Sequence, residues 1–272
     1  MLAATLERYR QVISYREDDL FLKFLPRGYE ATTLSGVPDY LRGVLLQAKV
    51  SLGMYITLVD DFADNPKLHR PDLLNVLHRV PFHWEEVRQV IVPAADREVI
   101  KLARHLCEEI LVPLSSLPHA RKLHPIFHFD FEQFLNANWF SSLITGLPEL
   151  ANETEARRYG TFNMGMVVSG MMDVMSLPNL HWEELGAIRR ILHLGQRIGR
   201  ICNVEVTFDR ELIEGDKTNE CLVSSRDLLY ERETHFEELQ RLAPSIRSFS
   251  VLEFVHGLKE LQSLHHQLRG HL

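Results

Sequence analysis

The sequence predicts an all-α protein, a single-domain antiparallel helical bundle. Apolar residues recur at three- and four-residue spacing along most of the chain, the period of a helix with one buried face. Alternating apolar–polar runs and Gly-centred hairpin signals are few, so no strand series can be drawn. Pro, Gly and Asn collect in short segments that separate long periodic stretches, as helix-ending residues do.

Taken in order, the spacing predicts a first helix over about 3–14. The break "LPRGYEATTLSGVP" (25–38) precedes a long helix over about 38–64, which Pro66 stops, and "DNPKLHRP" (64–71) leads into 71–79. Helices over about 94–116 and 120–145 follow. "TGLPELAN" (145–152) separates the latter from 151–176, and "SLPNLH" (176–181) opens 181–213. "IEGDKTNE" (213–220) then breaks the chain before helices over about 224–241 and 245–269. There is no internal repeat, no low-complexity linker and no sustained heptad pattern, which favours one globular bundle over a coiled coil.

Composition narrows the function classes. The 272 residues can bury a sizeable core, and 45% hydrophobic with 25% charged residues is ordinary for a globular chain. A net charge of -7 argues against nucleic acid and against an anionic membrane as partners. Cys107, Cys202 and Cys221 are far apart and form no CxxC pair, which predicts a reducing, cytoplasmic setting without disulfides or structural zinc. No signal peptide and no membrane-length apolar run is evident. The fourteen histidines include no HExxH, and are expected to be structural or surface residues.

Two polar patterns carry chemistry. In "LVDDFADNPKLHR" (58–70), Asp60 and Asp64 stand at i and i+4 and share a helix face, while Asp61 points about 100° away. They fall at a predicted helix C-terminus, where the helix dipole already disfavours negative charge. A cation resolves that conflict, and oxygen-only ligands select hard ions such as Mg²⁺. By itself, a DDxxD pattern arises by chance in roughly one chain of this length in twenty. The second pattern, in "IGRICNVEVTFDRELIEGDKTNE", sets Asn203, Thr207 and Glu211 at i, i+4 and i+8. The outer two are about 12 Å apart along the axis. Side chains lean toward the helix N-terminus, so Glu211 can reach back.

Together the two motifs, in this order and about 140 residues apart, resemble those of the class I terpene synthases, and in length the chain resembles the compact bacterial diterpene cyclases. In that family a DDxxD motif and an NxxxS/TxxxE motif face each other across a helical bundle. DDFAD (60–64) matches the first. Asn203, Thr207 and Glu211 match the second, with Arg210 where the family often has Lys or Arg. Val204 stands where the family often has Asp. The resemblance implies that Asp60, Asp64, Asn203, Thr207 and Glu211 hold Mg²⁺, three ions in the closed complex, with Mn²⁺ a substitute. Asp61 joins the metal set as an acceptor of an arginine. "ARRYGTFNMG" (156–165) lies where the family has a diphosphate-sensing Arg at a helix break. Arg158 fits with Thr161 and Phe162 as linker and effector positions, and Arg157 competes one residue away. Arg200, three residues before Asn203, is placed on the diphosphate together with Arg210 and Lys217. The Arg-Tyr pair common near the C-terminus in bacterial members is absent: the chain ends "HHQLRGHL". Tyr55 and Phe62 beside the acids, with Phe134 and Trp139 on 120–145, are the expected pocket aromatics.

The implied substrate is a prenyl diphosphate of C15 or C20. The implied activity is a carbon–oxygen lyase that ionises it and guides the carbocation to a cyclic or linear terpene. A homodimer is left open. A chain-elongating or head-to-head prenyl synthase is the enzyme alternative, disfavoured because those use two Asp-rich motifs. A non-catalytic helical interaction protein, with both motifs as solvated faces, is the alternative of another class.

Overall fold

The computed structural model describes residues 2–13, 17–215, 218–223 and 227–268. Lys217 and Arg269 therefore lie outside the described residues. The described elements are α-helices α1 (Leu2–Val12), α2 (Leu25–Ala31), α3 (Asp39–Ala63), α4 (Pro71–Arg79), α5 (Trp84–Val87), α6 (Ala94–Leu114), α7 (Ala120–Gly146), α8 (Glu153–Gly160), α9 (Met166–Ser176), α10 (Leu185–Glu214), α11 (Leu228–Leu242) and α12 (Val251–Gln267). Short 3₁₀ turns and one π-helical turn, Leu20–Phe24, join them. Among the described residues there is no strand, as the periodicity predicts. No described helix is long and apolar enough to cross a membrane. The three cysteines are free thiols.

Local chemistry explains most boundaries. Pro38 sets an extended entry to α3, Asp39 sits in its first turn, and Asp64 closes it two residues before Pro66. Pro71 takes the first position of α4, where its missing N–H costs nothing, and His78 and Arg79 occupy the last turn. Asn152, Asp227 and Ser250 cap α8, α11 and α12 by accepting from the backbone N–H three residues on.

Two expectations need correction. The segment 25–38 is not wholly a break: Leu25–Ala31 is helical, with Pro26 tolerated in the first turn. Packing of Gly28 against Leu261 and of Gly53 against Leu25 and Tyr29 holds that short helix in place. The span 151–176 is not one helix. It divides into α8, a 3₁₀ turn over Thr161–Met164, and α9, with Gly165 at φ 60° between them. A side chain at Gly165 would be strained by its left-handed backbone, and its Cβ would stand 2.3 Å from Ile56 Cδ1.

The core is built around α3, which is buried along most of its length and packs against α2, α4, α6, α7 and α9. α10 packs on α9, α11 and α12. On the inner face of α7, Phe131 is surrounded by the rings of Phe82, Tyr55, Phe127 and Phe134, at 5.4, 5.8, 5.9 and 6.0 Å. Such tilted and edge-on pairs add about 0.5–1.5 kcal/mol each beyond area burial. The Tyr55 hydroxyl donates to Leu77 O, tying α3 to α4. Arg189 on α10 makes a two-pronged bond to Asp130 on α7, at 2.6 and 2.7 Å. A wholly buried pair, Lys49 on α3 and Asp173 on α9, lies at 2.6 Å and also engages Thr33 and Leu34 N after α2.

Candidate active site

A cavity of about 170 Å³ opens between α2, α3, α10, α12 and the α8–α9 break. One side of it is polar. The C-terminal turns of α3 bring Asp60 and Asp64 to the wall, continuing a face that includes Gly53, Ile56 and Thr57. α10 brings Asn203, Thr207 and Glu211, together with Arg200 and Arg210, to the same cavity. The two sequence patterns thus meet in space. The remaining wall is largely apolar: Leu20, Phe24, Leu25 and Leu261, with Tyr29 and His265 among them.

Neighbouring side chains orient these groups. Asn138 Nδ2 donates to Asp60 Oδ1 at 3.3 Å, and His78 Nε2 lies 3.0 Å from Asn138 Oδ1. An amide oxygen only accepts, so His78 carries its proton on Nε2. Thr207 Oγ1 donates back to Asn203 O at 2.9 Å, which leaves its lone pairs directed elsewhere. Glu211 accepts from Asn219 Nδ2 at 2.6 Å and from Arg210 at 3.3 Å. Asn219 is fully buried and also donates to Val204 O. Arg200 reaches Asn203 Oδ1 and Thr218 O. The Nε–H groups of Arg200 and Arg210 are buried and have no acceptor among the described residues.

The donors on the two helices are carboxylates, an amide and a hydroxyl. This all-oxygen set fits a hard divalent cation such as Mg²⁺. Asp61 is fully buried and stands behind the wall rather than in it. Arg158 is exposed, its guanidinium 5.7 Å from the Tyr159 ring centroid, and Arg157 bonds Glu231 on α11. Neither lines the cavity. Thr161 Oγ1 donates to Arg157 O, and Phe162 packs edge-on to His193, so those two also face other neighbours. Tyr55, Phe62 and Phe134 are buried in the core and Trp139 is half-buried against it; none lines the cavity. Residues to which the sequence gave no site role are Tyr29, Asn138, Asn163, Asn219 and His265. The break at 161–165 is locked to α10 and α11 by Arg197, which takes Glu220 at 2.5 and 2.7 Å, Glu231 at 2.9 and 3.0 Å, and reaches Thr161. A second grouping, His181, Glu183 and Glu184, has the ligand types for a metal, but its carboxylates are already engaged by Arg247 and Ser248.

Burial lowers two histidines, His78 and His265, from the ordinary 6.5 to about 4. The unfolded chain therefore binds protons at these sites that the folded chain does not. Their stabilising contribution is complete above about pH 6.5 and is lost as pH falls toward 4. Urea unfolding free energy should decline across that window, and His78→Gln should remove close to one proton from the slope, about 1.4 kcal/mol per pH unit. An unchanged slope in that variant would contradict a buried neutral His78.

No protein-family profile matches the sequence, and no curated protein matches it. Solved structures do. Isoprene synthase from grey poplar leaves (Populus x canescens), in complex with three Mg²⁺ ions and dimethylallyl-S-thiolodiphosphate, is similar with a TM-score of 0.68 and 14% identity, covering 98% of this chain and 53% of that one. A second structure of isoprene synthase from the same source gives 0.65 and 12%, covering 97% and 52%. This chain spans about half the length of the structures it matches. Over nearly its whole length, the chain shares the all-α fold of these isoprene synthase structures.

Proposed function

We propose that this chain is a Mg²⁺-dependent class I terpene synthase that ionises a prenyl diphosphate of C15 or C20 and lets the carbocation rearrange in the cavity, the helices acting as one α domain. The observation that carries this reading is the meeting of the Asp60/Asp64 face with the Asn203/Thr207/Glu211 stripe at one side of an otherwise apolar cavity. The matched isoprene synthase was solved with three Mg²⁺ ions and a prenyl thiolodiphosphate, which supports the reading by likeness of fold alone. Asp60, Asp64, Asn203, Thr207 and Glu211 would hold the Mg²⁺, and bound Mg²⁺ would neutralise the leaving diphosphate.

The protein's own groups do the rest. Arg200 and Arg210 offer buried N–H donors to the diphosphate oxygens. Asn138, held by His78, keeps Asp60 turned to the cavity. Leu20, Phe24, Leu25 and Leu261 exclude water from the prenyl chain, so the cation survives long enough to rearrange. Arg157 or Arg158 would join the diphosphate only after the α8–α9 break moves toward the cavity.

The test is product formation. Incubation with Mg²⁺ and geranyl, farnesyl, geranylgeranyl or copalyl diphosphate should give a hydrocarbon or terpene alcohol by gas chromatography with at least one of them. A longer, condensed diphosphate would establish chain elongation instead. No product, with no thermal shift by Mg²⁺ plus diphosphate, would favour a non-catalytic helical interaction protein.

A further inference from the structure

We propose that Asn219 is a positioning residue that sets the Glu211 carboxylate in place for Mg²⁺; this rests on the terpene synthase reading above. The need for such a residue follows from the stripe on α10. Asn203, Thr207 and Glu211 all line the cavity, but the outer two are separated by about 12 Å of helix rise. One ion can be shared along that stripe only if the Glu211 arm folds back toward Thr207. Glutamate has a long side chain with several free torsions, and that freedom opposes any single folded-back geometry.

One side chain folds it back. Asn219 Nδ2 donates to Glu211 Oε2 at 2.6 Å and to Val204 O at 3.1 Å. The same nitrogen makes both bonds, so the carboxylate oxygen stands within two hydrogen-bond lengths of Val204 O. The Glu211 backbone, however, lies about 10.5 Å of helix rise beyond that of Val204. The arm is therefore drawn toward the Asn203 end of the stripe. The other described bond to this carboxylate, from Arg210 Nη2, is longer at 3.3 Å.

Capping alone does not account for an asparagine here. Asn219 Oδ1 accepts from Cys221 N at 2.8 Å and so caps the turn Glu220–Leu222. Aspartate or serine would cap it as well, but neither has two N–H groups to give. Asn219 is wholly buried, and there an amide is tolerated because both of its N–H groups are used. Other residues fasten this turn to α10. Arg197 takes the buried Glu220 carboxylate at 2.5 and 2.7 Å, and Arg200 donates to Thr218 O at 3.4 Å. Asn219 is thus anchored to the same helix as the carboxylate it holds.

The experiment compares wild type with Asn219→Ser and Asn219→Asp, which keep a capping oxygen and lose the amide N–H groups. The quantity read is the Mg²⁺ concentration for half of the full effect, first on Tm with inorganic diphosphate and then on turnover of the accepted prenyl diphosphate. It should rise about ten- to a hundredfold in both variants, with turnover recovering toward the wild-type rate as Mg²⁺ is raised. A residue that only caps would lower the ligand-free Tm and leave that concentration unchanged. An unchanged value would therefore overturn the positioning role while leaving the terpene synthase reading intact. A wild type that neither responds to Mg²⁺ with diphosphate nor consumes any prenyl diphosphate would overturn that reading, and the positioning role with it. Where both variants lose helicity by circular dichroism, the Asn219 side-chain amide resonances of ¹⁵N-labelled wild type decide. Saturating Mg²⁺ with inorganic diphosphate should shift them through the shared carboxylate, and resonances that stay in place would overturn the proposal.

Discussion

Asp60→Ala should lower kcat/KM for the accepted prenyl diphosphate by roughly 10²–10³ or more while leaving the far-ultraviolet dichroism unchanged. The magnitude is that of removing one preorganised electrostatic contact to a developing charge. The carboxylate is one of two that α3 presents to the cavity, and its loss also deprives Asn138 Nδ2 of its acceptor. Stability should move the other way, or not at all. Asp60, Asp61 and Asp64 crowd the C-terminus of α3, where negative charge meets the negative end of the helix dipole. Removing one relieves that repulsion. Equal melting temperatures with lost turnover would separate a functional carboxylate from a structural one. Full turnover in Asp60→Ala would sink the metal assignment.

The largest effect on stability should come from Asp173→Leu. Lys49 and Asp173 are both almost wholly inaccessible, and their bond at 2.6 Å is supported by Thr33 Oγ1 and Leu34 N. Burial pushes the Lys49 ammonium down and the Asp173 carboxyl up, while each partner's charge opposes the shift in the other. Removing one member leaves the other as a buried, uncompensated charge, at a cost of about 3–5 kcal/mol. In a chain of this size that lowers Tm on the order of 10 °C. The double variant Lys49→Met/Asp173→Leu should recover most of the loss, because replacing a buried ion pair by apolar groups of similar size is often neutral. Urea denaturation of the two singles and the double gives the coupling energy directly. A loss in the double equal to the sum of the two single losses would mean that the pair is not coupled.

Much of the candidate site was legible in the sequence, because both motifs are periodic on single helices. Asp60/Asp64 and Asn203/Thr207/Glu211 each needed only the 3.6-residue repeat to be placed on one face. What the repeat does not carry is the direction of that face in the bundle. Tyr55 is close to Asp60 in sequence, yet its hydroxyl turns to Leu77 O and its ring to Phe131. Phe134 follows the same inner face of α7 into the core. The apolar wall of the cavity comes instead from Leu20–Ala31, where Pro26 and Gly28 signal a break that packing overrides.

α10 gathers four obligations onto one uninterrupted rod. Arg189 grips Asp130, Arg197 holds Glu220 and Glu231, Arg200 lines the cavity, and the Asn203–Glu211 stripe completes it. Each added or deleted residue in a helix turns everything beyond it by about 100° and moves it about 1.5 Å along the axis. One insertion between Arg197 and Asn203 would therefore leave the anchors seated and carry all three oxygen donors out of phase with Asp60 and Asp64. In descendants of this sequence, the residues between these positions, from Arg189 to Glu211, are free to drift in letter, but their number is not. Length variation should gather instead in the connections outside that interval.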